Sequence, residues 1–150
     1  KIITMLTRQQ CKDGDYIAIN AYLPRNEDVI AALQDLRVVI RDKTKLAVTL
    51  GCGPRFLHST GQLHKGGPNN GLFLQITTDP VGDIEIPAPK KKKASGKGKT
   101  KAPKREMTFG TLQRAQALGD YEALQARDRR VLRVHLPSPD DLQELIKTVK

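Results

Sequence analysis

Tyr16-Ile17-Ala18-Ile19-Asn20-Ala21-Tyr22-Leu23, then Asn26 through Ile40, then Leu46-Ala47-Val48-Thr49-Leu50, is the stretch whose reading decides the fold. The first run is almost wholly apolar and is ended by Pro24, so it reads as a buried strand. Asn26 is suited to cap a helix, and Glu27 and Asp28 fall in the first turn, where the helix dipole favours acids. Val29, Leu33, Leu36 and Ile40 recur at helical spacing, and Arg41 and Lys43 close the end. The β-branched run at 46–50 then reads as a second strand. This is a β-α-β unit of the length a parallel pair needs.

The same alternation continues outward. Leu72-Phe73-Leu74-Gln75-Ile76-Thr77 and Val131-Leu132-Arg133-Val134-His135-Leu136 are further strand candidates. Ile84-Glu85-Ile86-Pro87 reads as a short extended piece in a loop. Thr108-Phe109-Gly110-Thr111-Leu112 leads into an Ala/Leu/Gln-rich helix ending near Leu118, and Gly119-Asp120 predicts a break before a second short helix over Tyr121–Arg127. Ser138 as cap, Pro139 in the first turn, and Leu142, Leu145, Ile146 and Val149 on one face define a last helix. The expected class is α/β, a layered fold with a mostly parallel sheet of about four strands flanked by helices. Residues 1–150 read as a single domain. So few strands, and a start without Met, suggest the C-terminal piece of a larger protein.

The net charge is +10, but its location matters more than its size. Residues 90–105 hold eight lysines and one arginine with no acid; without them 17 basic residues face 16 acidic ones. A near-neutral body carrying one basic segment is unlike a nucleic-acid-binding face, which spreads charge over folded surface. Residues 88–106, rich in Lys, Gly, Pro and Ala, are expected to be a disordered loop. Its rival role is a sequence-blind tether to nucleic acid or another polyanion, although it has no aromatic residue for base stacking. No apolar stretch approaches a membrane span, and KIITMLTRQQ has no signal-peptide core. Cys11 and Cys52 form no CxxC and read as reduced thiols; a nucleophilic Cys52 would need a positioned base.

The chemistry gathers in Gly51–Gly71, GCGPRFLHSTGQLHKGGPNNG, just past a strand's carboxyl end. Open α/β sheets build ligand sites there. Glycine admits a close backbone approach, and Ser, Thr, Lys and Arg suit an anionic oxygen. The first expectation is an anionic, phosphorylated small molecule. His58 and His64 are six apart with no Cys or His cluster around them, so no metal site is expected. Each residue also has a structural reading: His58 or His64 fixing a loop, Lys65 as a solvated charge, Gly66-Gly67-Pro68 as a turn, His135 as a core or sheet-end residue.

Gly53-Pro54-Arg55-Phe56-Leu57 and His58-Ser59-Thr60-Gly61-Gln62-Leu63-His64-Lys65-Gly66-Gly67-Pro68-Asn69 resemble the C-terminal part of the bacterial bifunctional transaldolase/glucose-6-phosphate isomerase proteins. Phe109–Leu112, Arg114–Asp120 and Arg130–Leu136 fit the same family, and the likeness covers about residues 15–136 outside the lysine-rich loop. The resemblance implies a sugar isomerase fold and interconversion of glucose 6-phosphate and fructose 6-phosphate through an enediol, with no metal or other cofactor. Gly61-Gln62 and His64-Lys65-Gly66 are similar to a Gly-Gln…His-Gln-Gly stretch that single-function isomerases carry near a catalytic Glu. No Glu lies between Glu27 and Glu85, which leaves that base unplaced.

On this resemblance His64 and Lys65 are the expected catalytic residues, His64 for ring opening or proton transfer and Lys65 for an anionic oxygen. Arg55, His58, Ser59, Thr60, Gly61, Gln62 and Gly66 are the expected substrate-binding residues. The implied partners are a sugar phosphate, the remaining N-terminal part of the isomerase/transaldolase and a second copy in a homodimer, in a cytoplasmic setting without membrane. The isolated piece is expected to bind sugar phosphate weakly and to turn it over poorly or not at all. A non-catalytic phosphosugar-sensing domain is the alternative.

Overall fold

A computed structural model describes residues 11–87 and 107–150. The lysine-rich segment expected to be disordered, 88–106, lies outside the described residues, as does 1–10. The element order is strand β1 (Tyr16–Tyr22), helix α1 (Glu27–Thr44), strand β2 (Ala47–Cys52), a 3-10 turn (Arg55–His58), helix α2 (Thr60–Gly66), strand β3 (Gly71–Thr78), helix α3 (Phe109–Gln125), strand β4 (Arg130–Leu136), a 3-10 turn (Pro139–Asp141) and helix α4 (Leu142–Val149).

The four strands form one sheet in the order β2-β1-β3-β4, and all three pairings are parallel. This is the α/β layered fold expected. β1 leads outward to β2, and the chain then returns past β1 to β3. The direction of winding therefore switches between β1 and β3, where a crevice opens beyond the carboxyl ends.

Local chemistry explains the boundaries. Asn26 Oδ1 accepts from the Val29 N–H at 2.8 Å, starting α1. The helix ends at Lys45, whose left-handed backbone (φ 60°) lets its N–H reach the Arg41 carbonyl. Ser138 and Asp141 form a capping box ahead of α4, with the Ser138 N–H donating to Asp141 Oδ2 at 2.9 Å. Thr108 caps α3 by accepting from the Thr111 N–H at 3.0 Å.

One sheet face is apolar: Ile17, Ile19, Ala21, Leu72, Leu74 and Ile76 pack on Leu33, Leu36 and Ile40 of α1 and on Leu142, Leu145, Ile146 and Val149 of α4. The other face, under α2 and α3, mixes Ala18, Tyr22 and Phe73 with buried Asn20 and Gln75. Asn20 sits opposite Gly51 on β2 and Gln75 on β3, and Gln75 Nε2 donates to the Ala117 carbonyl of α3 at 2.9 Å.

One expectation changes. Gly119-Asp120 does not interrupt the helix: α3 runs unbroken to Gln125. A helical glycine costs only about 1 kcal/mol against alanine. Asp120 next to it is turned inward, buried and ion-paired with Lys65. Within the glycine-rich run, Arg55–His58 winds as a 3-10 turn and Thr60–Gly66 as a helix. The expected extended piece near Ile84 is a single antiparallel bridge, Glu85 with Thr108.

Candidate functional site

Three clefts lie along the carboxyl edge of the sheet. The first, about 280 Å³, is lined by Arg25, Cys52, Arg55, Phe56 and Ser59. Arg25 follows β1 and Arg55 follows β2, so the parallel pairing of those strands brings two guanidinium-bearing residues from distant sequence to one cleft. Both are exposed, no carboxylate is in the lining, and neither makes an ion pair among the described residues. Cys52 is a free thiol.

The second cleft, about 410 Å³, opens between Pro24 and Pro54 on one side and Pro80 and Phe109 on the other, outside the switch between β1 and β3. The third, about 210 Å³, lies off β3 and β4, with Tyr22, Thr77, Asp79, Arg114, Arg133 and His135 in its wall. Thr78, Asp79 and Gln113 line both of these clefts. Pro24 and Pro54 adjoin Arg25 and Arg55 in sequence, so the clefts follow one another across the sheet end.

Of the residues expected to bind substrate, Arg55 and Ser59 reach a cleft. Ser59 Oγ also donates to the Phe56 carbonyl at 3.2 Å. His58, Thr60, Gln62 and Gly66 are exposed, and none lines the three clefts. Gln62 Nε2 donates to the Leu57 carbonyl at 3.0 Å, within its own turn. Gly61 is buried for packing: a Cβ there would lie 3.0 Å from the Phe56 carbonyl oxygen.

His64 and Lys65 turn inward from α2. His64 is buried among aromatic rings, 4.9 Å from the Phe73 centroid and 6.0 Å from that of Phe56. Its Nδ1 has no hydrogen-bond partner among the described residues. Burial holds His64 below the ordinary histidine range; Asp120 opposes that shift and Lys65 adds to it. Lys65 Nζ lies 2.5 Å from Asp120 Oδ1, and the Tyr22 hydroxyl donates to Asp120 Oδ2 at 3.4 Å. Arg129 fixes the end of α2 by donating to the Lys65 and Gly67 carbonyls at 2.9 and 2.6 Å.

Sequence reasoning missed Arg25, Asp79, Arg114, Arg133, Asp120 and Tyr22. Asp79 and Arg25 had a usable signal, for each lies just beyond a strand's carboxyl end. Arg133 looked like an ordinary strand residue, and Asp120 like a helix breaker. Among the described residues, no group of His, Cys, Asp and Glu is arranged to hold a metal ion. No described helix is long and apolar enough to cross a membrane.

No family model and no curated protein matches the chain. The chain is similar to the crystal structure of a hypothetical protein from Thermus thermophilus, with 21% identity and a TM-score of 0.61. The match covers 89% of this chain and 33% of that one, so the chain spans about a third of the length of its solved neighbour. At this identity the likeness concerns the fold.

Proposed function

We propose that the chain is the phosphosugar-binding part of an aldose–ketose isomerase acting on glucose 6-phosphate and fructose 6-phosphate, with Arg25, Arg55 and Ser59 holding the phosphate. The observation that carries this reading is the first cleft: two guanidinium groups free of ion pairs among the described residues and a hydroxyl, with no carboxylate in the lining, at the carboxyl end of a parallel sheet. Guanidinium groups stay charged at any working pH and match phosphate oxygens with paired donors. The resemblance of residues 53–69 to the transaldolase/glucose-6-phosphate isomerase proteins supplies the sugar. The cytoplasm, the rest of a longer isomerase chain and a second copy belong to the same reading, and the free thiols at Cys11 and Cys52 suit it.

His64 and Lys65 then act in the fold: one is packed among rings, and the other is held by a buried carboxylate. The test is calorimetric titration of the 150-residue chain with fructose 6-phosphate, inorganic phosphate and unphosphorylated fructose. The expected pattern is binding of the first two and none of the third, with Arg25→Ala/Arg55→Ala weakening both at least about tenfold, the cost of losing charged hydrogen bonds. Unchanged affinity in the double variant overturns the reading.

A further inference from the structure

A phosphate site fixes one end of a sugar phosphate and leaves the reacting end without a partner. His64 does not supply one, since its ring is enclosed by Phe56, Phe73 and Tyr16. The third cleft does. Thr77 on β3 and His135 on β4 are register partners, and Thr77 Oγ1 lies 3.1 Å from His135 Nδ1. On the other side of the ring, Nε2 lies 3.7 Å from Asp79 Oδ2. The imidazole is thus located from two directions by residues of β3 and the turn that follows it.

The two contacts differ in kind. The Thr77 distance is a hydrogen bond, but 3.7 Å is longer than one. A ligand hydroxyl cannot fit between the two atoms, but one placed beside the pair, on the solvent side, can reach both Nε2 and the carboxylate at hydrogen-bond distance. The His135 side chain is 50% exposed and Asp79 64%, so both are reachable from the cleft. Arg114 Nη1 stands 3.8 Å from Asp79 Oδ1, and the Arg133 guanidinium lies over the Tyr121 ring, 5.9 Å from its centroid. Two guanidinium groups therefore offset the Asp79 carboxylate beside the place where an enediolate oxygen would develop. The Thr78 hydroxyl oxygen, which is buried and has no hydrogen-bond partner among the described residues, belongs to a residue shared by the second and third clefts.

We propose that this cleft receives the carbonyl end of the sugar phosphate, with Asp79 and His135 bracketing its hydroxyls and His135 moving the proton between C1 and C2. The proposal rests on the phosphosugar reading. Adjacent strands are about 4.8 Å apart, so the span from the β1/β2 ends to β4 is roughly 10–14 Å. An extended hexose phosphate, met by long Arg25 and Arg55 side chains at one end, lies along that edge. The step balances without any co-reactant. His135 Nε2 takes the C2 proton of the open-chain aldose; the C–H pair becomes the C1=C2 bond, and the carbonyl π pair passes to O1. The proton then returns to C1 while the O2 proton moves to O1 and C2=O2 forms.

The experiment is side-chain NMR of the 150-residue chain, with His135 resonances assigned from His135→Gln, during titration with inorganic phosphate and then fructose 6-phosphate. Inorganic phosphate is expected to shift Arg25 and Arg55 alone, and fructose 6-phosphate to shift His135 as well. His135→Gln and Asp79→Asn, both surface changes, are expected to weaken fructose 6-phosphate several-fold and leave inorganic phosphate unaffected. In heavy water, deuterium is expected to enter C1 of fructose 6-phosphate slowly with the parent chain and not with His135→Gln. A silent His135 alongside responsive Arg25 and Arg55 overturns this inference and leaves the phosphosugar reading standing. Silence at all three overturns both. Shifted His135 without deuterium entry overturns the proton-transfer role.

Discussion

The Lys65 ammonium lies 2.5 Å from the carboxylate of Asp120, tying the short helix of the glycine-rich run to the middle of α3. The Asp120 side chain is only 1% exposed, and its second oxygen accepts from the Tyr22 hydroxyl. Burial, reinforced by that carboxylate, pushes the Tyr22 hydroxyl well above its usual range, so it remains a donor. Removing one member of such a pair strands the other charge. Lys65→Met is therefore expected to lose about 3 kcal/mol in urea unfolding, with most of it regained in Lys65→Met/Asp120→Leu. A loss below about 0.5 kcal/mol, the usual size for an exposed charge, would show that Lys65 is a free cation instead.

His64 gives a pH signature. Its folded-state value lies below the ordinary histidine value, chiefly because burial disfavours the imidazolium. The unfolded chain therefore binds the proton more readily. The stability His64 contributes is complete above about pH 6.5, the unfolded value, and falls as pH drops from there towards the folded value. His64→Phe, which suits a pocket made by Phe56, Phe73 and Tyr16, is expected to flatten that part of the curve. Urea midpoints of parent and variant between pH 7.5 and 5 test it, and parallel curves would count against it.

Two glycines on neighbouring helices should respond oppositely to alanine. A Cβ on Gly119 meets nothing within 4 Å, and the residue is exposed inside α3, so Gly119→Ala is expected to stabilise by about 0.5–1 kcal/mol. A Cβ on Gly61 meets the Phe56 carbonyl oxygen at 3.0 Å and the Phe56 ring at 3.3 Å. Gly61→Ala is expected to destabilise by about 1–3 kcal/mol through overpacking. Thermal unfolding of the two variants side by side reads both signs. A gain for Gly61→Ala would mean that its glycine serves the ligand instead of the packing.

The strands and capped helices were legible because each carries its own signal within a few residues. Asn26 before Glu27 and Asp28, and Ser138 before Asp140 and Asp141, announce helix starts by capping alone. Gly119-Asp120 misled because local propensity opposed a tertiary bond: the Lys65 that draws Asp120 inward is 55 residues away. The site was legible in its place but only partly in its members. The rule that ligands gather at strand carboxyl ends pointed to Arg55 and Ser59, which line a cleft. The same rule puts Arg25 beyond the end of β1, but that Arg25 shares a cleft with Arg55 depends on which strand pairs with which. His64 and Lys65 have the right chemistry, but helical turning of Thr60–Gly66 directs them into the body.

At the opposite, amino end of the sheet, Arg130 holds Asp15 with two parallel bonds, Nη1 to Oδ2 at 2.7 Å and Nη2 to Oδ1 at 2.8 Å. The pair joins the entry of β1 to the entry of β4, across β3. Hydrogen bonding from Arg130 is the main reason that the Asp15 carboxyl sits below its usual range; the Lys12 N–H, donating at 2.7 Å, adds to it, and burial opposes it. A carboxyl lowered in the folded state contributes stability that is complete above its unfolded value, about 3.9, and is lost as pH falls through the folded one. Asp15→Asn is expected to cost about 1.5–3 kcal/mol at neutral pH, the range for hydrogen bonds to charged groups. That difference should narrow as pH falls below about 4, where the unfolded parent takes up a proton that the folded carboxyl still resists, and level off only below the folded value. Urea unfolding of both proteins from pH 6 to 2.5 tests this, and a constant gap across the range would rule out Asp15 ionisation as the source of the stability.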